Sequence, residues 1–179
     1  MKPSLLLPIF VSLVGCVAIE LPDGGTDGGV ALWPEGTLEL GGGDATGAFT
    51  AFTAFPAEVQ ATPGAQGGFH VGVRYKITGK ALPTVRFEHR VTRVRDDVLV
   101  SKGARVLDVD PVAAGESWTS QETIIIFICP TPVGVNVLNE ELRFEVTALK
   151  NGAVLNQTSA NATFRCAAGD GFCASICAG

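Results

Sequence analysis

The sequence has few of the residues on which most enzymes and metal sites depend. It contains only two histidines, His70 and His89, each inside a segment that alternates between apolar and polar residues. No GxSxG, HExxH or phosphate-loop pattern occurs, so the usual motifs of hydrolases, zinc proteases and nucleotide-binding enzymes are missing. We therefore expect a protein that is not an enzyme and that holds no metal and no cofactor.

Basic charge and long apolar runs are also in short supply. Thirteen Lys and Arg residues stand against 18 Asp and Glu, which gives a net charge of −5. A chain of this charge lacks the basic face that binds phosphate backbones, so we expect no nucleic acid as a partner. The apolar stretch from Leu5 to Ile19 contains Pro8 and is shorter than the roughly 20 residues of a membrane-spanning helix, so we expect no span.

What the chain does have is a start, MKPSLLLPIFVSLVGC, with the three parts of a secretory signal peptide. Lys2 gives the positive end, an apolar run follows from Leu5 to Val14, and Gly15 precedes Cys16. The Leu-Val-Gly-Cys terminus resembles the lipobox of bacterial lipoproteins. The resemblance implies cleavage before Cys16, diacylglycerol on its sulfur and usually a third acyl chain on its amine. Several acyl chains anchor a protein firmly, whereas one chain does so only marginally.

The residues after Cys16 bear on where the protein is located. Val17 follows the cysteine, whereas Asp at that position often marks retention at the inner membrane of enteric bacteria. The resemblance therefore favours an exported, membrane-anchored lipoprotein of the outer membrane, on its periplasmic face or at the cell surface. The Gly- and Asp-rich segment from Leu21 to Gly29 predicts a flexible tether.

The chain accordingly divides into four predicted parts. These are a signal peptide (1–15), a lipidated cysteine with a flexible linker (16–36), a β-sandwich domain (37–166) and a C-terminal tail held by disulfides (167–179).

The domain is predicted to be all-β because its apolar residues recur at every second position, as in half-buried strands. The clearest strand is Phe69–Thr78, which places five apolar side chains on one face. The other predicted strands are Thr37–Leu40, Thr46–Phe55, Val85–Arg95, Val98–Val100, Arg105–Val109, Ser117–Cys129, Leu142–Leu149 and Ala153–Cys166. This spacing predicts an antiparallel β-sandwich of about 7–9 strands. In its rhythm the domain resembles immunoglobulin-like and fibronectin-type sandwiches.

Turn residues predict how these strands are connected. Gly41–Asp44 and Lys102-Gly103 are expected to be turns, and Asp96-Asp97 a tight reversal. Asn151-Gly152 lies between two alternating runs and is the strongest short signal for a hairpin, because both residues tolerate positive φ. The run Ile124–Ile128 is apolar on both faces, which favours a central strand, with a helix as the alternative.

Apart from Cys16, the chain contains four cysteines: Cys129, Cys166, Cys173 and Cys177. An even number in an exported protein predicts two disulfides, for which three pairings exist. Strand directions favour Cys129 with Cys166, which leaves Cys173 with Cys177 in a helical turn capped by Asp170. The crossed alternative joins Cys129 to Cys173 and Cys166 to Cys177. A zinc site is the rival hypothesis, although the paired CxxC spacing of zinc sites is absent.

Two groups of charged residues are better explained by solvation than by a site. Asp108 and Asp110 share a strand face and could hold calcium, but two solvated carboxylates explain them more simply. Arg86, Glu88 and Arg90 form a mixed-charge outer face of a strand, which is typical of edge protection.

The function predicted from these observations is that of a lipid-anchored cell-envelope protein. Its β-sandwich would serve as a binding, adhesion or structural module, recognising an envelope protein or a polysaccharide through loops or a sheet edge. Two alternatives have testable requirements. An accessory subunit of an envelope complex requires an exposed apolar patch or an unpaired strand edge. A metal-dependent enzyme requires that His70, His89 or the acidic pair converge in a pocket.

Overall fold

A computed structural model describes residues 36–43, 48–52, 57–79, 84–109, 117–131 and 135–179. The predicted signal peptide, the lipidation site Cys16, the tether and Asp110 lie outside the described residues. Within the described part, no helix has both the length and the apolar character needed to cross a membrane.

The described chain is mostly β-structure, arranged as two sheets with one short helix, so the predicted all-β sandwich is confirmed in outline. In chain order the elements are β1 (Thr37–Gly43), β2 (Phe49–Ala51), β3 (Glu58–Gln60), β4 (Thr62–Pro63), β5 (Phe69–Thr78), β6 (Thr84–Arg93), β7 (Val98–Asp108), β8 (Ser117–Thr119), β9 (Ile124–Cys129), β10 (Glu141–Lys150), β11 (Ala153–Arg165) and α1 (Gly171–Cys177). The described strands outnumber the predicted ones because four are only two or three residues long, too short to show a period.

The smaller sheet is built around β5. Its residues 74–78 pair with β1, 76–78 with β8, 69–73 with β9, and 69–70 with β4, while β2 extends the sheet beyond β1. The larger sheet has the order β3-β11-β10-β6-β7, and its neighbours are antiparallel except for the parallel pair β3 and β11. The purely antiparallel prediction is therefore corrected at this edge.

The core lies between the inner faces of the two sheets. All five inner side chains of β5, from Phe69 to Ile77, are buried, as the alternating pattern predicts. Tyr75 packs against Phe87 of the larger sheet, with ring centroids 4.7 Å apart. Burial raises the pKa of the Tyr75 phenol well above its ordinary value, because the phenolate would lose its hydration.

Both predicted reversals of the larger sheet with clear turn chemistry are present. Asn151 and Gly152 have φ of 51° and 83° and connect β10 to β11 in an antiparallel ladder whose register shifts once, between Ala148 and Leu149. Asp97 has φ of 54° in the turn between β6 and β7. The buried side chain of Arg93 holds this turn with bonds of 2.9 and 2.6 Å to the two carboxylate oxygens of Asp96, which lowers the pKa of that carboxyl.

Two predicted glycine turns are wrong. Gly41–Gly43 continues β1, and Gly41 is needed there because a Cβ at this position would overlap the carbonyl of Thr50 on β2. Lys102-Gly103 lies inside the uninterrupted strand β7, opposite His89. A Cβ at Gly103 would lie 2.7 Å from Cε1 of His89, so this glycine also permits a close approach and not a reversal.

The prediction of one central strand over Ser117–Cys129 is also wrong. The segment forms two strands, β8 and β9, and among the described residues both pair only with β5. Ile124 and Ile126 point into the core, but Ile125 and Phe127 are 51% and 52% exposed on the other face. An apolar pattern on both faces therefore reflects one buried face and one face left open to solvent.

Candidate functional site

The outer face of the smaller sheet carries an apolar patch, formed by Ile125 and Phe127 of β9 with the ring of His70 from β5. In the strand register Phe127 lies opposite His70 and Ile125 opposite Gly72. The rings of His70 and Phe127 are 6.0 Å apart between centroids. Ile125 and Phe127 are about half exposed and lie side by side on one strand face, so the patch is an apolar feature of the described surface that calls for an explanation.

Glycines leave this patch uncovered. Gly72 has no side chain to lie beside Ile125, and a Cβ there would be 2.6 Å from Cγ2 of Thr123. Cβ atoms built at Gly64 and Gly68 would lie 3.7 and 3.6 Å from Cε1 of Phe127. Neither Gly64 nor Gly68 has a side chain to cover the Phe127 ring, and the ring that lies beside it is that of His70.

The rest of the same sheet face carries charged side chains together with the ring of Phe49. Nη2 of Arg74 donates a hydrogen bond of 2.7 Å to the carbonyl of Gln121. Nζ of Lys76 is 3.5 Å from a carboxylate oxygen of Glu39 and 5.8 Å from the centroid of the Phe49 ring. An apolar centre beside a polar margin is the usual anatomy of a protein interface.

The four cysteines form a second feature, which we call the sulfur cluster. The structure joins Cys129 to Cys177 and Cys166 to Cys173, with Cα separations of 5.3 and 5.8 Å. Two disulfides were predicted, but this pairing is neither the favoured one nor the crossed alternative. Cys173 and Cys177 lie one turn apart on α1, and both are buried where they bond to Cys166 and Cys129.

The predicted helical turn of the tail is present. The side chain of Asp170 accepts a 2.9 Å hydrogen bond from the backbone N–H of Cys173, as an N-cap does. The Sγ atoms of Cys166, Cys173 and Cys177 all lie within 4.8 Å of one another. A zinc ion would need these sulfurs as thiolates, whereas in this state they are consumed in disulfides. The chemistry open to the cluster in this state is thus thiol–disulfide chemistry.

The two histidines do not converge. His70 lies on the outer face of the smaller sheet, and His89 lies on the inner face of β6 in the larger sheet. Nδ1 of each is buried without a hydrogen-bond partner among the described residues. Burial lowers the pKa of His89, because the imidazolium would be poorly solvated there. The structure therefore does not bring the two histidines together, which is one of the arrangements that the enzyme hypothesis named.

The charged groups of the larger sheet are paired with one another. Arg86 is 2.9 Å from Glu88 and Arg90 is 3.9 Å from Glu145, along a shallow depression of about 800 Å³ on the outer face. This agrees with the predicted mixed-charge face. Asp108 accepts a 3.0 Å hydrogen bond from the Thr84 hydroxyl.

Comparison with known proteins adds little to this geometry. No family model matches the chain, and no curated protein matches it in sequence. Among solved structures, a glycosyl hydrolase family 2 member from Bacteroides cellulosilyticus is similar, with a TM-score of 0.42 and 10% identity over 61% of this chain and 14% of that one. A "putative beta-galactosidase" from Bacteroides fragilis gives a TM-score of 0.38 and 12% identity over 59% of this chain and 15% of that one. The chain thus spans about a seventh of either protein, and likenesses this weak carry no argument about activity.

Proposed function

We propose that the chain is a lipid-anchored protein of the bacterial cell envelope whose immunoglobulin-like β-sandwich binds another envelope protein through the apolar patch. The observation that carries the proposal is the exposure of Ile125 and Phe127, side by side on a sheet face where alternation normally places polar residues. Stability does not require this exposure, since the inner residues of β9 already supply its share of the core.

The composition of the patch favours a protein over a polysaccharide. A sugar-binding surface surrounds its aromatic ring with hydrogen-bonding side chains for the hydroxyl groups. Phe127 is surrounded instead by glycine backbone, by Ile125 and by the ring of His70. An aliphatic and an aromatic side chain with a polar margin suit the apolar centre of a protein interface.

The patch also favours the accessory-subunit form of this function. That hypothesis required an exposed apolar patch or an unpaired strand edge. Within the described part of the chain, β7 pairs only with β6, so its second edge is free of strand pairing there, and Lys102 and Arg105 on it are residues that typically protect an edge. We therefore assign partner binding to the patch rather than to this edge.

Site-specific photocrosslinking in the native cells tests the binding surface. A photoreactive phenylalanine analogue replaces Phe127 in one variant and Val154 in a control, because Val154 is 63% exposed on the larger sheet. We expect an adduct of defined mass with another envelope protein from position 127, at least tenfold stronger than from position 154. Equal adducts at the two positions, or none at position 127, would contradict the proposal. An adduct with twice the mass of the chain would instead make the patch a dimer interface.

The anchor is tested separately. The intact mass of protein purified from membranes should correspond to a chain that begins at Cys16 and carries acyl chains. A Cys16→Ser variant should lose the lipid and leave the membrane fraction. A wild-type mass without acyl chains would overturn the anchored part of the proposal and leave the patch result untouched.

A further inference from the structure

The sulfur cluster ties α1 to both sheets. Cys129 is the last residue of β9 in the smaller sheet, and Cys166 directly follows β11 in the larger sheet. Their partners, Cys177 and Cys173, are both on α1. Each sheet is thus joined to the helix by one disulfide, and the two bonds meet in one place.

The two disulfides are in contact with each other. Sγ of Cys173 lies 3.9 Å from Sγ of Cys177, although the two atoms belong to different disulfides. Exchange begins when a thiolate contacts a sulfur of another disulfide, so this distance is a starting geometry for exchange. Residues four apart in an α-helix have Cα atoms about 6 Å apart, which is within the span that a disulfide bridges. The helix can therefore accommodate the product, a Cys173–Cys177 bond.

The four cysteine residues differ in their exposure to solvent. Cys129, Cys173 and Cys177 are 1%, 0% and 1% exposed, whereas Cys166 is only partly buried. An external thiol must reach a sulfur atom before it can react. Cys166 is therefore the point of entry to the cluster.

We propose that the sulfur cluster is a redox-active relay, in which one dithiol reductant opens the bond at Cys166 and thereby releases α1 from both sheets. A thiolate of the reductant attacks Sγ of Cys166, forming a mixed disulfide and expelling Cys173 as a thiolate. The Cys173 thiolate attacks Sγ of Cys177, forms the Cys173–Cys177 bond and expels Cys129 as a thiolate. The second thiol of the reductant then resolves the mixed disulfide and frees Cys166.

In total, these reaction steps transfer two electrons and two protons from the reductant to the protein. The reductant dithiol becomes a disulfide, and the protein changes from two disulfides to one disulfide and two thiols, on Cys129 and Cys166. The internal exchange moves no net electrons. Without it, the same two electrons would open only the bond to the larger sheet and leave Cys129 joined to Cys177.

Release would uncover part of the core. Phe172 of α1 packs on Phe69 with ring centroids 5.8 Å apart, and the carbonyl of Cys177 accepts hydrogen bonds from the backbone of Val137 and Leu138 at 2.9 and 3.2 Å. After exchange no disulfide holds the helix at this end of the sandwich, and only non-covalent contacts such as these remain between α1 and the sheets. The buried Phe69 would become accessible whenever they open.

Peptide mapping tests the relay on the full mature chain. One equivalent of dithiothreitol is added, the reaction is stopped with acid, free thiols are alkylated, and trypsin is applied without further reduction. Cleavage after Arg105, Arg143 and Arg165 places Cys129 in fragment 106–143 and the other three cysteines in fragment 166–179. The relay predicts two separate fragments, each with one alkyl group, and an internal disulfide in 166–179. Two alkyl groups on 166–179, still linked to 106–143, would overturn it.

A Cys166→Ser/Cys173→Ser variant shows whether the reductant reaches the buried bond directly. This variant keeps the Cys129–Cys177 link and lacks the attacking sulfur. At the same dithiothreitol concentration we expect its two fragments to separate at least tenfold more slowly than in the wild type. Separation at the wild-type rate would mean direct reduction and would overturn the relay.

Discussion

The two sheets share one kind of inner face and differ in their outer faces. In the larger sheet, the long strands β6, β7, β10 and β11 pair over most of their length, and several outer positions carry paired charges, although Leu99, Val106 and Val154 are also exposed on these strands. In the smaller sheet, β5 is paired with several shorter strands, and its neighbour β9 presents Ile125 and Phe127 to solvent. Folding is explained equally well by both inner faces, so the difference in outer faces is where a function can be located.

The larger sheet also shows which side chains occupy an outer face that is exposed to solvent. Its outer positions on β10 are Arg143, Glu145 and Thr147, and Arg143 reaches Asp97 at 3.0 Å. Such exposed pairs contribute about 0–1 kcal/mol each, so their role is solubility more than stability. Phe127 lies instead beside Ile125 and the ring of His70, and this difference is why we assign the larger sheet's outer face to solvent and the apolar patch to a partner.

The largest expected effect comes from replacing an inner and an outer phenylalanine. Phe144→Ala removes a fully buried ring from the larger sheet and should lower the free energy of unfolding by about 3–5 kcal/mol. Phe127→Ala removes a half-exposed ring from the smaller sheet and should cost less than about 1 kcal/mol. Urea denaturation followed by tryptophan fluorescence measures both. Comparable losses for the two variants would show that the apolar patch is a structural element.

The second prediction compares the disulfides that hold α1 to each sheet. Cys129–Cys177 closes a sequence separation of 48 residues, and Cys166–Cys173 one of 7. Loop-closure entropy then gives a stabilisation of about 4 kcal/mol for the first and about 2.5 kcal/mol for the second. Unfolding of Cys129→Ala/Cys177→Ala and Cys166→Ala/Cys173→Ala measures the two contributions. A larger loss in the second variant would contradict the entropic account.

Much of this fold could be predicted from alternation and turn chemistry. The buried face of β5, the buried face of β10 and the Asn151-Gly152 hairpin follow from patterns within ten or so residues, where local preferences and the final fold agree. The N-cap Asp170 could also be predicted from the sequence, because its hydrogen bond reaches only three residues along the chain.

The remainder depends on contacts between distant segments. A glycine is equally suited to a turn and to a close approach between strands. The sequence therefore does not reveal that Gly41 lies against Thr50 and Gly103 against His89. The disulfide pairing depends on which way α1 faces, which sequence spacing does not fix. The apolar patch was visible as the run Ile124–Ile128, but a strand apolar on both faces does not reveal which face is covered.

A smaller effect is expected from glycine replacements in the two sheets. Gly152 of the larger sheet has φ of 83°, where a Cβ costs about 1–2 kcal/mol, so Gly152→Ala should destabilise by that amount. Gly42 in β1 of the smaller sheet is the control, since its Cβ would meet only Phe52 at 3.5 Å. Gly42→Ala should change stability by less than about 0.5 kcal/mol. Thermal unfolding of both variants provides the comparison. If Gly152→Ala left the stability unchanged, the Asn151-Gly152 turn would not depend on the positive φ of Gly152.

The smallest expected effect concerns His89, the partly buried histidine of the larger sheet. Burial lowers the pKa of His89 in the folded protein, so below its ordinary value of 6.5 the unfolded chain binds a proton that the folded chain does not. The free energy of unfolding that depends on neutral His89 is therefore fully present above pH 6.5. It declines as the pH falls from 6.5 towards the pKa of His89 in the folded protein. Urea unfolding at about pH 7.5 and about pH 5.5 should show a larger loss in the wild type than in His89→Gln, which does not titrate. His70→Gln removes the histidine of the smaller sheet and should leave the His89 contribution in place. Equal pH dependence in the wild type and His89→Gln would show that protonation of His89 does not oppose folding.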